Sequence, residues 1–536
     1  MKRVLLLLSL LLFAVVLPAS GASQLGDNLW FYWDLRIDAA TNWLDGATQT
    51  LARARSAGYR GVMLGSGSRV ALLPLLDEGK RVRVRAFRLA CEQIGLDVAV
   101  AVWSFGYGVE SFLSYDRNLA AANPVFGTRY RVTDGVAVPL PGECRELLPA
   151  GGGVVHSPAR EGDIARQSVR LKRDRSYRIH VRGVAEDVEG EWPVRLAVRR
   201  TCAPDDAVES RVFRFRPGVP FEDFLQFASM NAEEVIIECS GYNRSYPGFA
   251  QITALTLEET PPYHVIRRAG TPVHVRSADG SRQYREGVDF AEIPKAEGLW
   301  PMKWTKPLTF RVLPGGAIRE GDELVVDCYA SFPTHGKWTS VCMAGPEVFE
   351  IMERSAAAIA SDLCPSLWIL SFDEVRAGGG CENCRRIGGM DRIYARCAEK
   401  AMEIVRRNCP KADVYVWNDM VDPECQKGGG WSQGLYSPIS GVWDLLPLGL
   451  GIACWTSNRE SALRFATARG RKTFIAGYYG RATMDADRDW VRLTKTIPGC
   501  DCRGMMYTQW GQGFSRIEEF AAAVREEEKK WVGSAF

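Results

Sequence analysis

The chain has 536 residues, 46% of them hydrophobic, and carries a formal net charge of +3. That is enough length and apolar content for one large domain plus at least one further module. A near-neutral balance without a basic block gives no reason to expect nucleic acid as a partner, and fifteen cysteines are too few for a disulfide-built scaffold.

The opening stretch, MKRVLLLLSLLLFAVVLPASGAS, places Lys2 and Arg3 before an apolar run that ends in small residues. It reads as a secretory signal over residues 1–22, cleaved near Ala22. The run is short for a membrane span and no second one follows, so the mature chain is expected to be secreted or periplasmic, without stable membrane insertion.

After the signal, 29–36 (LWFYWDLR) reads as a strand that ends in polar residues. A helical stretch at 48–57, a strand at 60–65, a helix at 80–94 and a strand at 96–103 follow. Strands alternating with helices at this spacing predict βα units around a parallel sheet. From about residue 130 to 259 the rhythm changes to short alternating strands separated by Gly, Pro, Asp and Asn, the spacing of an antiparallel β-sandwich. A β-rich connector runs on to about residue 332. A loop of this length inside a compact domain is expected to be a module of its own. The βα rhythm resumes with a helix after Gly345-Pro346, then LWIL at 367–370, VYVWND at 414–419, IACW at 452–455, TFIAGYY at 473–479 and MMYTQW at 505–510. An amphipathic helix at 516–531 closes the chain. The fold expected is a (β/α)₈ TIM barrel of the α/β class, with residues 23–125 as strands 1–3, a β-sandwich and β-rich insertion at 126–340, and residues 341–536 as strands 4–8.

The apolar run 367–370 leads straight into two adjacent acids, Asp373 and Glu374. A strand buried on both faces, with paired carboxylates at its C-terminal end, is where barrel enzymes keep their chemistry. Other strand ends repeat the theme: Trp33-Asp34, Trp417 and Asp419, Trp455, Tyr478-Tyr479 and Trp510. A ring of Trp and Tyr at one barrel mouth makes an apolar socket with polar tips, suited to the C–H faces and hydroxyl edges of a sugar. Neighbours on a regular strand point to opposite faces, so Asp373 and Glu374 can share a ligand only if the strand ends or twists there.

Histidine contributes little. Only five are present, and none lies on an expected strand end; His335, in THGKW, is the one that could reach over the mouth. This argues against a Ser-His-Asp hydrolase and a His-ligated zinc enzyme. The spacing of Cys381 and Cys384, a CxxC, fits a zinc knuckle, a redox pair or a disulfide. Without a second CxxC, a structural disulfide or incidental thiols are expected rather than a metal site. The glycines at 378–380 and 428–430 make loops near the mouth without a phosphate-loop motif.

The segment VCMAGPEVFEIMERSAAAIASDLCPSLWILSFDEVR, followed in order by VYVWNDM, IACW, TFIAGYY and GMMYTQW, resembles the catalytic barrel of a divergent branch of family 20 glycoside hydrolases, the β-N-acetylhexosaminidases. The resemblance implies a retaining, substrate-assisted mechanism on N-acetylhexosamine-containing oligo- or polysaccharides, with no cofactor and no metal. It implies Glu374 as general acid and base, and Asp373 as the group that holds the 2-acetamido N–H. Tyr479 or Tyr478 would hydrogen-bond the acetamido oxygen, Trp417, Trp455 and Trp510 would wall its pocket, and Arg36, with Asp34 and Asp419, would bind elsewhere on the substrate. Phe105-Gly106-Tyr107 and Ser371-Phe372 stand where that family carries histidines. Two alternatives remain: a glycosidase on non-acetamido sugars that pairs Glu374 with Asp419 or Asp34, and a non-catalytic carbohydrate-binding barrel.

Overall fold

The computed structural model describes residues 24–37, 43–108, 111–148, 152–157, 166–186, 192–201, 203–241, 248–295, 306–334, 338–427, 434–510 and 513–532. The expected signal segment, His335 and the glycines at 428–430 lie outside the described residues. Among the described residues, no helix is long and apolar enough to cross a membrane.

Eight parallel strands close into a barrel: β1 (Leu29–Trp33), β2 (Gly61–Leu64), β3 (Asp97–Val102), β4 (Leu367–Leu370), β5 (Asp413–Trp417), β6 (Gly451–Cys454), β7 (Thr473–Tyr478) and β8 (Cys502–Thr508). Each pairs with its sequence neighbour, and β8 returns to β1 with Trp30 opposite Met506. The unbroken apolar runs follow from burial on both faces. On β1, Trp30 and Tyr32 point into the barrel interior with Ala101, Ile369, Tyr415, Phe474 and Met506. Phe31 and Trp33 point outward, into the layer between the strands and the surrounding helices. The interior is therefore a packed plug, and chemistry is left to the rim.

The helices follow local rules. Asp77 caps Glu78–Ile94 by accepting from Lys80 N–H, and Gly95 ends it at a φ of +80°. Pro346 begins Pro346–Leu363, where its missing N–H costs nothing. Fully buried Asp362 on that helix accepts from Arg81 at 2.7 Å and Arg85 at 3.2 Å, locking the two helices together.

Between β3 and the helix that precedes β4, the chain builds three antiparallel sheets. One has four strands, in the order Ala203–Phe215, Trp192–Arg200, Glu234–Gly241, Arg166–Arg170. A five-stranded sheet is centred on Ser176–Glu186 and Gly248–Thr260, and a six-stranded sheet on Asn123–Thr133 and Glu323–Ala330. Leu196 and Val235 of the first share a buried cluster with Ile179 and Leu257 of the second and Cys328 of the third. Arg200 donates to the carbonyl of Leu435 at 2.8 Å, tying this insertion to a loop on the β5–β6 side of the barrel.

Candidate active site at the barrel mouth

A cavity of about 280 Å³ opens at the C-terminal ends of the strands, lined by Tyr32, Asp34, Ser66, Tyr107, Asp373, Glu374, Trp417, Trp455 and Trp510. The ends of β1, β4, β5, β6 and β8 supply seven of these residues, and the loops after β2 and β3 add Ser66 and Tyr107. The aromatic walls lean on one another. Trp510 meets Tyr32 edge-on at 4.9 Å, Tyr479 at 5.6 Å and Trp417 at 6.4 Å, while Tyr479 stacks on Trp455 at 6.1 Å.

Backbone turns aim these side chains. β4 stops at Leu370, Phe372 N–H bonds back to the Leu370 carbonyl at 2.8 Å, and Glu374 takes a φ of +49°. This left-handed turn answers the parity problem of adjacent acids, because both Asp373 and Glu374 line the cavity. Tyr394 fixes the turn from below by donating to the Phe372 carbonyl at 3.1 Å. Gly106 allows the β3 loop to lie against the Asp373 and Glu374 carbonyls, where a Cβ would collide with backbone. At the end of β7, Tyr478 and Tyr479 both have positive φ, at 71° and 56°. Non-glycine residues held in this region mark places where surrounding structure enforces a costly conformation, often at sites of function.

Glu374 sits under opposing influences. Burial pushes its carboxyl above the ordinary range, while the Arg376 guanidinium pulls the other way without reversing the shift. Tyr107 Oη donates to Glu374 Oε2, and Arg376 forms an ion pair with the same oxygen. Oε1 takes no hydrogen bond from the described residues. The Glu374 N–H donates to Asp419 Oδ2 at 2.8 Å. Trp338, near the C-terminal end of the insertion, packs edge-on against Tyr107 at 4.8 Å.

The residues singled out in the sequence fall into distinct places. Asp34, Asp373, Glu374, Trp417, Trp455 and Trp510 come together on the cavity wall. Tyr479 packs against the interior cluster, and its buried hydroxyl has no hydrogen-bond partner among the described residues. Tyr478 instead faces the outer helix layer, stacked on Tyr507 at 4.3 Å. Asp419 lies beneath the cup, fully buried, with Oδ1 accepting from Trp455 Nε1 at 3.3 Å. Burial first, and then the charge of Asp373, push the Asp419 carboxyl well up. Arg36 is exposed and does not line the cavity. Tyr107 and Arg376, the two partners of Glu374, were not among the expected site residues. Arg376 could have been found from its position two residues past the acid, but Tyr107 is brought in only by the fold.

Of the two expectations for Cys381 and Cys384, a structural disulfide or incidental thiols, the disulfide is not formed and both are free thiols. Their sulfurs are 3.5 Å apart, and a third thiol, Cys342, stands 3.7 Å from each. All three are buried.

The fold and rim define a closed parallel α/β barrel with an acid-bearing aromatic cup. No family model and no curated protein matches the chain. Among solved structures it is similar to the CBM22-1–GH10 modules of Clostridium thermocellum endo-1,4-β-D-xylanase 10B complexed with xylohexaose, at 11% identity over 77% of this chain and 98% of that one, with a TM-score of 0.21. It is similar also to a β-D-glucuronidase of Dictyoglomus thermophilum, at 8% identity over 77% and 97% of the two chains, TM-score 0.20. The CBM22-1 xylan-binding domain of Paenibacillus barcinonensis Xyn10C matches at 9% identity over 28% of this chain and all of that one, TM-score 0.15.

Proposed function

We propose that the protein is an exported glycoside hydrolase acting on N-acetylhexosamine-containing glycans by a retaining, substrate-assisted mechanism. The observation that carries this reading is the buried Tyr479 hydroxyl, without a partner among the described residues, on a ring packed against Trp455 and Trp510 of the cup that also presents Asp373 and Glu374. A buried hydroxyl without a partner is costly. A ligand acceptor such as an acetamido oxygen would satisfy it.

In this mechanism Glu374, whose carboxyl burial pushes toward the protonated form, gives its proton to the glycosidic oxygen as the bond to the anomeric carbon breaks. The substrate's own acetamido oxygen attacks that carbon, held by the Tyr479 hydroxyl, while Asp373 accepts the acetamido N–H and stabilises the positive charge that develops. Glu374, now ionised, takes a proton from water as the water opens the cyclic intermediate, which returns the acid to its starting form with retained configuration. Tyr107 and Arg376 on Oε2 leave Oε1 to face the leaving group. The insertion sheets that share one core are read as a sandwich module that helps hold polysaccharide.

A second reading is favoured by the position of Asp34, which lines the same cavity: Asp34 would be the nucleophile on a sugar lacking the acetamido group. The buried, doubly bonded Asp419 is poorly placed for that role. A panel of aryl glycosides with and without the 2-acetamido group separates the two. The first reading expects turnover of acetamido substrates only, and a loss of about 10²-fold in Tyr479→Phe, as for other lost transition-state donors. Equal turnover of both classes, indifferent to Tyr479, would select Asp34. Saturable binding without turnover would make this a carbohydrate-binding barrel.

A further inference from the structure

We propose that Cys342, Cys381 and Cys384 form a thiolate site for a single tetrahedral divalent cation of the zinc type, which staples the Glu374 loop to the chain returning from the insertion. The three sulfurs make a nearly equilateral triangle with edges of 3.5, 3.7 and 3.7 Å. Zinc–sulfur bonds of about 2.3 Å arranged tetrahedrally place their sulfurs about 3.8 Å apart, so this triangle matches one face of such a site. A disulfide would use two of the three sulfurs and strand the third. The symmetry of the cluster favours a shared centre instead.

Charge supports the same assignment. Binding releases three thiol protons to solvent and leaves three thiolates, a net −1 with a divalent cation. Arg268 donates from Nη1 to Cys381 Sγ at 3.7 Å, and its guanidinium brings the buried unit to neutrality. An isolated buried charge would be expensive, and a neutral assembly is not. Among the described residues no fourth His, Cys, Asp or Glu completes the group.

The site has a structural role because of what it joins. Cys342 lies two residues past Ser340, whose hydroxyl accepts from the N–H groups of Arg376 and Ala377 at 3.1 and 3.2 Å. Cys381 precedes and Cys384 lies within the helix Glu382–Ile387, which follows the Glu374–Arg376 turn. A cation here would fasten the C-terminal end of the loop that carries the acid to the chain beside Ser340.

The test uses the full chain purified without chelator. Elemental analysis is expected to find about one zinc per chain, falling at least tenfold in Cys342→Ser and in Cys384→Ser. Cobalt substituted for zinc should give an intense near-ultraviolet sulfur-to-metal band. Should the variants fail to fold, differential alkylation of the wild type answers the same question. Chelation should raise the reactivity of Cys342, Cys381 and Cys384 by about tenfold or more while leaving buried Cys397 and Cys454 unchanged. Metal retained in both variants, no zinc and no cobalt band in the reduced protein, or a disulfide mapped between any two of the three would overturn the proposal.

Discussion

Asp419 accepts the backbone N–H of Glu374 at 2.8 Å across 45 residues of sequence, and with its other oxygen accepts the indole N–H of Trp455. One buried carboxyl from β5 thus sets both the turn that aims the acid and the face of an aromatic wall. Glu374 holds a φ of +49°, a conformation that needs such outside support. Asp419→Ala is expected to lower kcat/KM by about 10²-fold through misplacement of Glu374, with substrate still bound. Asp419→Asn, which keeps one acceptor but offers a donor to the other N–H, should fall between. Steady-state kinetics on both variants, with circular dichroism to check the fold, tests this. Parent-like rates in Asp419→Ala would remove Asp419 from the positioning role.

Tyr107 and Arg376 both stabilise the ionised form of Glu374 through Oε2. Removing either should raise the carboxyl's pKa further. A general acid works while protonated, so activity is lost as pH rises through that pKa. Tyr107→Phe and, more strongly, Arg376→Met should therefore move the alkaline limb of the kcat/KM profile to higher pH. A limb that stays put or moves down would show that another group controls it.

Asp487 is fully buried behind the end of β7, with Oδ1 accepting from Tyr478 N–H at 2.8 Å and Oδ2 without a partner among the described residues. Burial raises its pKa from an ordinary 3.8 to about 6, although Arg481, Arg459 and Arg516 oppose the rise. The folded state keeps a proton that the unfolded chain gives up between those values. Its contribution is fully present below about pH 4 and lost as pH climbs to about 6, a decline of about 3 kcal/mol. Asp487→Asn retains the acceptor for Tyr478 and removes the titration. Urea unfolding at pH 4 and pH 7 should show a smaller drop in stability for the variant than for the parent. An equal drop would place the titration elsewhere.

Trp510 is 51% exposed at the lip of the cup, so little of the core depends on it. Trp510→Ala should weaken saccharide binding about tenfold, the size of one lost aromatic contact, and change stability by less than about 1 kcal/mol. Calorimetric titration with an oligosaccharide, paired with thermal unfolding, separates the two effects.

Much of the barrel was legible because strands buried on both faces cannot hide their composition. LWFYW, LWIL and TFIAGY could sit nowhere else, and the acids and aromatics that end them stand at the rim. The site was legible only in part. Sequence gave no way to choose between Tyr478 and Tyr479, because successive positive φ values break the alternation that would decide which one faces inward. Asp419 looked like a rim residue from its place after Trp417, yet it turns beneath the cup to meet backbone N–H groups. Tyr107 and Cys342 join their partners across 267 and 39 residues, contacts made by the closing of the barrel and invisible to local pattern. The insertion's strands were readable from alternation, but which strands share a sheet depends on long-range pairing that alternation does not encode.

The whole reaction scheme turns on proton donation by Glu374. Glu374→Gln keeps the shape of the side chain and its contacts with the cup but removes the acid. With a poor leaving group, kcat should fall by about 10² to 10⁴-fold, while calorimetric affinity for the same glycan stays within about a factor of two, since ground-state contacts are retained. Unchanged kcat in a folded Glu374→Gln variant, on a substrate the parent cleaves, would contradict it.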